Sequence, residues 1–310
     1  MNNKATVVGA NKVFLFVAII NIVFSLVIEI VNITYSNFLD DNTLLLLLMI
    51  QFYCVLFPSL FYLIGNRINI KDTLRFNRLG LLPSFLIVLI SAPAFYAASA
   101  LNSIGYYILQ FIGKDIEETI PVPQNLGEVF VSILVIAVAP AICEEILHRG
   151  ILLKAYENRG TVKAVVISAV MFGIFHFDIT NLLGPIFLGL LFGYYVVKTN
   201  SIFAAVIAHF MNNFLATILQ YSMRNEAKDS SFYSLSDLGA TLMYGAICVF
   251  FIFLLLLCFK AATKGKYNVR ASGTTIGNDV VSIISHWPVI AVMLLYTMFT
   301  GLYILSLAGR

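Results

Sequence analysis

Charged side chains are the scarcest feature of this 310-residue chain, because Asp, Glu, Lys and Arg together make up only 11% of it. Hydrophobic residues make up 60%, and the mean hydropathy is +0.92. This composition excludes a soluble globular protein, whose surface must be far more polar. The net charge is only +3 and no polybasic tail is present, which excludes a nucleic-acid partner recognised by charge.

Cysteine is also scarce, and no two cysteines have CxxC spacing. All four fall in apolar runs, which favours small buried hydrophobic side chains over disulfides or a zinc cluster. They are Cys54, Cys143, Cys248 and Cys258. The N-terminus also lacks the small-residue cleavage site of a signal peptide, so we expect the first apolar run to stay in the membrane as a helix.

Nine apolar runs are long enough, or nearly long enough, to cross a bilayer, and no internal repeat or separate soluble domain is evident. The runs are Val13–Ile33, Leu44–Ile64, Leu82–Ile108, Val129–Leu153, Val162–Phe177, Leu182–Val197, Ser201–Tyr221, Leu238–Phe259 and Trp287–Leu307. We therefore predict an all-α, multi-pass transmembrane bundle of about nine helices. It divides into N-terminal helices with an amphipathic connector (1–125), a core segment (126–222) and C-terminal helices (223–310).

The connections between these runs predict how the chain is oriented. The first carries Asp40 and Asp41 without a basic residue, and the second, Asn66–Leu79, carries four basic residues. Basic connections alternate with acidic or neutral ones along the chain, and basic loops lie on the cytoplasmic side. We therefore predict a cytoplasmic N-terminus. The mixture of basic and apolar residues in Asn66–Leu79 predicts an amphipathic segment on the inner leaflet.

Two adjacent carboxylates, Glu144 and Glu145, lie near the end of the fourth run. A charge inside a bilayer costs several kcal/mol unless it is paired or hydrated. Neighbouring helical residues point about 100° apart, so these two side chains can do different things. Arg149 lies four residues after Glu145, on the same face, which predicts a structural ion pair. That pairing would leave Glu144 free for chemistry.

Two other helices carry polar groups that could share a cavity with Glu144. The fifth run ends at His176, and the seventh contains His209 and Asn213 on one helical face. Such a set can hydrolyse an amide, with the carboxylate as general base on water and an imidazole or amide as oxyanion donor. Glu144 with His176 and His209 also matches a zinc ligand set with an open water position, so the cofactor is either none or a divalent metal such as zinc.

Other polar residues in the runs have simpler interpretations. His148 lies four after Glu144 and could bond to it, but we expect it to face the membrane interface. We expect the isolated Glu29 to partner a donor on another helix. A single intramembrane histidine is more often a packing residue than a catalyst.

Three motifs, each on its own predicted helix, resemble a known family. They are Glu144-Glu145-Ile146-Leu147-His148-Arg149, Phe172-Gly173-Ile174-Phe175-His176 and His209-Phe210-Met211-Asn212-Asn213. Their pattern and order resemble those of the CPBP family of intramembrane proteases, which includes type II CAAX prenyl endopeptidases and bacterial self-immunity proteins. The resemblance covers about residues 126–220. Each motif alone is weakly specific, but the ordered set is more specific.

The resemblance implies roles for these residues. Glu144 would activate water with help from His176, while His209 and Asn213 would orient the substrate carbonyl and stabilise the oxyanion. Glu145 and Arg149 would brace the helix beside Phe172. The implied partners are membrane lipid and a membrane-associated or lipidated peptide or protein, and the motif style favours a bacterial cell membrane.

Two other functions stay open at this point. A scaffold or immunity protein of the same family would act by binding a partner without turnover. A carrier would use the buried Glu and His for transport, although repeats and broken helices typical of carriers are not evident.

The depth of the motifs in the membrane sets a condition on the site. The loop count places His176 at the outer end of its helix and Glu144 toward the cytoplasmic side, roughly 22 Å from the outer end of its own helix. The two can meet only if the short fifth and sixth helices form a hairpin set toward the cytoplasm.

Overall fold

A computed structural model describes residues 3–113, 121–225, 233–265, 270, 271, 273 and 275–309. The described residues contain eleven helices and no strand. Seven helices are long and apolar enough to cross a membrane: α1 (Val7–Thr34), α2 (Phe38–Gly65), α4 (Leu81–Leu109), α5 (Leu126–Arg159), α8 (Phe203–Met223), α9 (Leu235–Ala262) and α11 (Trp287–Ala308). The chain is thus an integral, multi-pass membrane protein, as predicted.

Four helices are shorter: α3 (Ile70–Leu74), α6 (Thr161–Phe175), α7 (Leu183–Thr199) and α10 (Ile276–Ile284). Each of the nine predicted apolar runs corresponds to a long helix or to α6 or α7. The predicted all-α bundle is therefore confirmed.

Helix α4 runs through the middle of the bundle and contacts α7, α8 and α9. Its buried face is rich in small residues, including Ala94, Ala97 and Ala100. Gly245 of α9 lies so close to α4 that a Cβ added there would be 2.6 Å from the Cβ of Ala100. Without a hydrophobic effect between lipid-solvated helices, such close backbone approach supplies the packing that holds them together.

Helices α6 and α7 form the short hairpin that the site requires. Its turn is fixed to α4 by Asn102, whose Nδ2 donates to Oδ1 of Asn181 (2.7 Å) and whose Oδ1 accepts from the backbone N–H of Gly184 (2.7 Å). Asn102 lies seven residues before the end of α4, or about 10 Å along it. The hairpin turn therefore stops short of that end of α4, and the predicted placement of the hairpin toward the cytoplasm stays a prediction.

Helices α2 and α5 contain π-helical segments, at Ile50–Leu56 in α2 and at Ile133–Val138 and Ile146–Leu152 in α5. Pro140 supplies one cause, because it has no N–H to donate to the carbonyl of Ile136, four residues earlier. Single turns of π-helix are frequent at functional sites, since they rotate the side chains that follow. The two segments of α5 flank Glu144 and Glu145.

The connector Asn66–Leu79 differs from the predicted amphipathic segment, since only its residues Ile70–Leu74 are helical. Arg75 is buried rather than exposed at a lipid surface, and its Nη2 lies 2.5 Å from Oε2 of the buried Glu157 at the end of α5. Leu74 packs against Gly150, where an added Cβ would lie 2.3 Å from Leu74 Cδ2. The connector is thus anchored into α5.

The cysteine prediction is correct for three residues and wrong for one. Cys54, Cys143 and Cys248 are buried free thiols, whereas Cys258 is exposed on α9. Cys258 belongs to an apolar helix that packs on the bundle along one side only, so an apolar run did not guarantee burial in protein.

The α6–α7 contact gives a test of the fold. A Cβ at Gly189 of α7 would lie 2.8 Å from the backbone Cα of Ala169 of α6. Because backbone cannot yield as a side chain can, we expect Gly189→Ala to cost about 1–3 kcal/mol, as overpacking does. Thermal unfolding in detergent, followed by circular dichroism, would measure this. Gly239→Ala is the control, since nothing lies within 4 Å of that position and alanine favours helix. Equal melting temperatures for both variants would contradict the packing described.

Candidate active site

A cavity of about 400 Å³ lies among α2, α4, α5, the α6–α7 hairpin and α8. All four residues predicted to be catalytic line it: Glu144, His176, His209 and Asn213. The remaining wall is mostly apolar. Ligand sites typically combine an apolar wall with a few convergent polar groups, so this cavity is the candidate active site.

Glu144 is 5% exposed, and its two oxygens have different surroundings. Oε1 accepts a hydrogen bond from Nε2 of Gln51 on α2 (2.8 Å). Oε2 is buried and has no hydrogen-bond partner among the described residues. A buried polar atom without a partner calls for an explanation. A water or a substrate group in the cavity would supply one.

Glu145 points away from Glu144 into a buried ion cluster. Its Oε1 accepts from Nη1 of Arg149 (2.8 Å) and from Nδ1 of His209 (2.9 Å). All three side chains are almost fully buried. The predicted Glu145–Arg149 ion pair is present, and His209 joins it by bonding to the same oxygen of Glu145. Adjacent carboxylates thus occupy different environments, one paired and one partly free.

The ring of Phe172 contacts Arg149 and both cavity histidines. The guanidinium of Arg149 lies 4.4 Å from the centre of its ring and 5.2 Å from that of Phe192. The ring centres of His176 and His209 lie 5.1 Å and 5.5 Å from that of Phe172. Arg149 also donates from Nη2 to the carbonyl of Gly189 (3.3 Å). The cation–π contacts and this hydrogen bond stabilise the buried Arg149 guanidinium, which lipid chains could not do.

The tautomers of the two cavity histidines follow from their partners. Nδ1 of His176 lies 2.8 Å from the carbonyl oxygen of Phe172, which can only accept, so Nδ1 carries the hydrogen. Nδ1 of His209 carries one for the same reason, since Glu145 accepts it. In the neutral form each ring therefore has an unprotonated Nε2. His209 can donate from Nε2 only when both of its ring nitrogens carry a hydrogen.

His176 sits directly after α6, where the chain reverses. Phe177, the next residue, has φ of +49°, a conformation that is unusual for a bulky side chain. Its ring packs against Tyr296 (6.2 Å) and Phe299 (6.0 Å) of α11. Residues held in rare backbone conformations cluster at functional sites. Helix α11 therefore supports the turn that carries His176.

Asn213 is tied to the proline in α5. Its Nδ2 donates to the carbonyl of Ile136 (2.8 Å), the group for which Pro140 has no N–H. Its Oδ1 accepts from Nδ2 of Asn212 (3.1 Å). An amide nitrogen has two hydrogens, so one remains for a substrate oxygen.

Two expectations about polar residues are wrong. His148 does not face the interface: it is fully buried, and its Nδ1 donates to the backbone carbonyl of Glu144 (2.8 Å). Its ring packs on Phe172 and Phe175, with centres 5.0 Å and 5.1 Å away. His148 lies within the π-helical segment Ile146–Leu152, whose residues 147–152 are all buried. Glu29 is exposed on α1, and no hydrogen bond joins it to another helix among the residues that the structure describes.

Sequence reasoning missed four amide side chains that line the cavity: Gln51, Asn102, Asn181 and Asn212. Gln51 lies outside the motif segment, on α2. A signal was available, because Gln51 is the only carboxamide in the apolar run Leu44–Ile64, and intramembrane polar residues mark functional sites.

A zinc site would need at least three metal-ligating side chains that converge on one point. Among the residues that the structure describes, no three His, Cys, Asp or Glu side chains converge closely enough to hold one metal ion. The set Glu144, His176 and His209 therefore does not fit a zinc site in this arrangement.

The buried ion cluster gives a second test. Replacing one partner of a buried pair leaves an uncompensated charge and costs about 3–5 kcal/mol. We therefore expect Arg149→Met to lower the melting temperature strongly, and the double variant Glu145→Gln/Arg149→Met to recover part of it. Arg159→Met is the control: its pair with Asp279 is partly exposed and typical exposed pairs contribute less than about 1 kcal/mol. Similar losses in the two single variants would refute the cluster's role.

Comparisons with known proteins match the part of the chain that carries the three motifs. The family described as "Type II CAAX prenyl endopeptidase Rce1-like" matches residues 126–215. A relative in Bacillus subtilis (strain 168), named "Putative membrane peptidase YdiL", is 31% identical over 163 residues, which are 52% of this chain and 64% of the relative. The chain thus spans less than two thirds of that relative's length. No solved structure matches the chain. The matched residues 126–215 hold all three predicted motifs, and the match agrees with the predicted resemblance to the CPBP family.

Proposed function

We propose that this protein is an intramembrane endopeptidase that hydrolyses a peptide bond of a membrane-associated or lipidated peptide, with Glu144 as the base. The observation that carries this proposal is the asymmetry of Glu144. One of its oxygens is held by Gln51, and the other is buried in the cavity without a partner among the described residues. The match to the family model and the relative's name support the reaction class.

The reaction follows from the groups around the cavity. Oε2 of Glu144 takes a proton from water while the water oxygen bonds to the carbonyl carbon of the scissile peptide. The resulting oxyanion accepts the remaining N–H of Asn213 and, from an imidazolium, the Nε2–H of His209. The C–N bond then breaks, and the departing nitrogen receives the proton held by Glu144. His176 orients the water through its unprotonated Nε2.

The cavity wall suggests the chemistry of the substrate. Leu47, Phe95, Val135 and Leu188 give it a large apolar area beside the polar groups. An apolar side chain or a lipid tail fits such a surface better than a charged side chain does. The peptide would enter in an extended conformation, because the carbonyl groups of a helix are already hydrogen-bonded and are not accessible to the attacking water.

The base is tested by Glu144→Gln, which keeps the size of the side chain but cannot accept a proton. Loss of a general base lowers kcat by about 10²–10⁴-fold. The assay is cleavage of a quenched fluorescent peptide library by the detergent-purified chain. Glu29→Gln removes a carboxylate from another membrane helix, outside the cavity, and is expected to cleave at the wild-type rate. Full activity of Glu144→Gln would instead favour a scaffold that needs no turnover.

Gln51 is tested as a residue that positions Glu144. Gln51→Met keeps the length of the side chain but loses the donor to Oε1. We expect kcat to fall by about 10–100-fold with little change in KM, because one charge-assisted hydrogen bond is worth about 1.5–3 kcal/mol. Gln220→Met is the matched control on α8, at a residue that does not line the cavity. A fall in melting temperature without a fall in kcat would assign Gln51 to packing alone.

A further inference from the structure

A second cavity, of about 360 Å³, lies at another place in the bundle and shares no lining residue with the first. Five segments form it: the N-terminal residues 3–5, the connector before α4, the end of α5, the α7–α8 junction at Asn200, and Arg270. Its volume falls in the range of about 300–1,000 Å³ that is typical of small-molecule sites.

The lining of this cavity is strongly basic. Five cationic side chains contribute to it: Lys4, Lys71, Arg75, Lys154 and Arg270. A single carboxylate, Asp72, lines it as well. Buried Arg75 is paired with Glu157 at 2.5 Å, and Asp72 accepts from Nδ2 of Asn69 at 2.7 Å. The net charge around the cavity therefore stays positive.

Three lysines in the cavity have little compensation from acidic groups. Lys4 and Lys71 are exposed, and neither has a carboxylate within 4 Å in the described parts of the chain. Lys154 is partly buried, and its Nζ lies 4.0 Å from Oε2 of Glu157, which is already bonded to Arg75. Like charges that face one concave space repel one another unless an anion occupies it. Lysine also binds phosphate as a point charge.

Arg270 is fixed in place although it follows the long connection after α9. Its backbone N–H donates to Oγ1 of Thr161 (2.9 Å), and its Nη1 donates to Oδ1 of Asn158 (3.2 Å). Its carbonyl accepts from the N–H of Thr161 (3.3 Å). The wall that carries this guanidinium is therefore docked to the end of α5 and the start of α6.

We infer that this cavity binds a phosphate group, presented either by an anionic lipid headgroup or by a soluble phosphate compound. The cavity lies at the end of the bundle that bears the basic connector, where basic pockets between membrane helices meet acidic headgroups. Lys154 is ten residues after Glu144 on α5, about 15 Å along the helix. The phosphate would bridge the connector to the helix that carries Glu144 and Glu145.

The test is a binding titration of the full chain in detergent micelles, at a constant salt concentration of about 0.15 M so that diffuse attraction is screened. The probes are dihexanoylphosphatidylglycerol, dihexanoylphosphatidylcholine and inorganic phosphate. We expect saturable binding of the phosphatidylglycerol or of inorganic phosphate. Phosphatidylglycerol binding alone identifies a lipid headgroup as the source, and phosphate binding alone identifies a soluble compound.

The variant Lys71→Gln/Lys154→Gln removes two cations from the cavity, and its Kd should rise at least about tenfold, since each charge-assisted contact is strong. Arg67→Gln/Arg78→Gln is the matched control, because it removes two cations from the same connector that do not line the cavity. Its Kd should change less than about twofold, as expected for screened, distant charges. If the first variant does not fold, the exposed Lys4→Gln should still raise Kd about threefold.

No saturable binding of either anionic probe would overturn the inference. Equal weakening by the two double variants would also overturn it, since that result indicates diffuse surface charge. Equally strong binding of phosphatidylcholine, whose phosphate is neutralised by its own choline cation, would show that the cavity does not select a net anion and would overturn the inference. Glu144→Gln should bind as the wild type does, so a failed protease assay leaves this test unaffected.

Discussion

The arrangement of the site depends on one interaction, the buried contact of Glu145 with Arg149 and His209. A carboxylate in an apolar bundle must be neutralised, and here the neutralising groups come from α5 itself and from α8. Arg149 is in turn enclosed by Phe172 of α6 and by Phe192 and Gly189 of α7. Four helices are thereby held around one charge. Satisfying Glu145 in this way leaves its neighbour Glu144 to face the cavity.

The site also depends on irregular backbone in α5. Pro140 and the two π-helical segments make α5 depart from regular α-helix on both sides of the carboxylates. In this irregular stretch the carbonyl of Ile136 accepts a hydrogen bond from Asn213, and the buried His148 bonds to the carbonyl of Glu144. Such irregularity is tolerated at membrane depth where it is buried in protein or lines a cavity. In this chain it does both.

Sequence predicted the helices and the local pairs well, because both follow from composition and from helical spacing. The Glu145–Arg149 pair needed only a separation of four residues. Contacts between distant segments could not be predicted from the sequence. Gln51 bonds to Glu144 across 93 positions, and Asn102 bonds to a turn 79 positions away. His148 was misplaced because we expected it at the membrane interface, whereas Phe172 and Phe175 of α6 pack on its ring. The connector was misjudged because its buried partner, Glu157, lies 82 residues later.

The central claim is that the two adjacent glutamates have separate roles, one in chemistry and one in holding the fold. The most direct measurement compares Glu144→Gln and Glu145→Gln for melting temperature and for peptide cleavage in the same detergent preparation. The account predicts that Glu144→Gln melts near the wild-type temperature but does not cleave. It predicts that Glu145→Gln melts at a markedly lower temperature, because Arg149 loses its counter-charge. A Glu144→Gln variant that cleaves normally, with a Glu145→Gln variant that is stable and inactive, would contradict it.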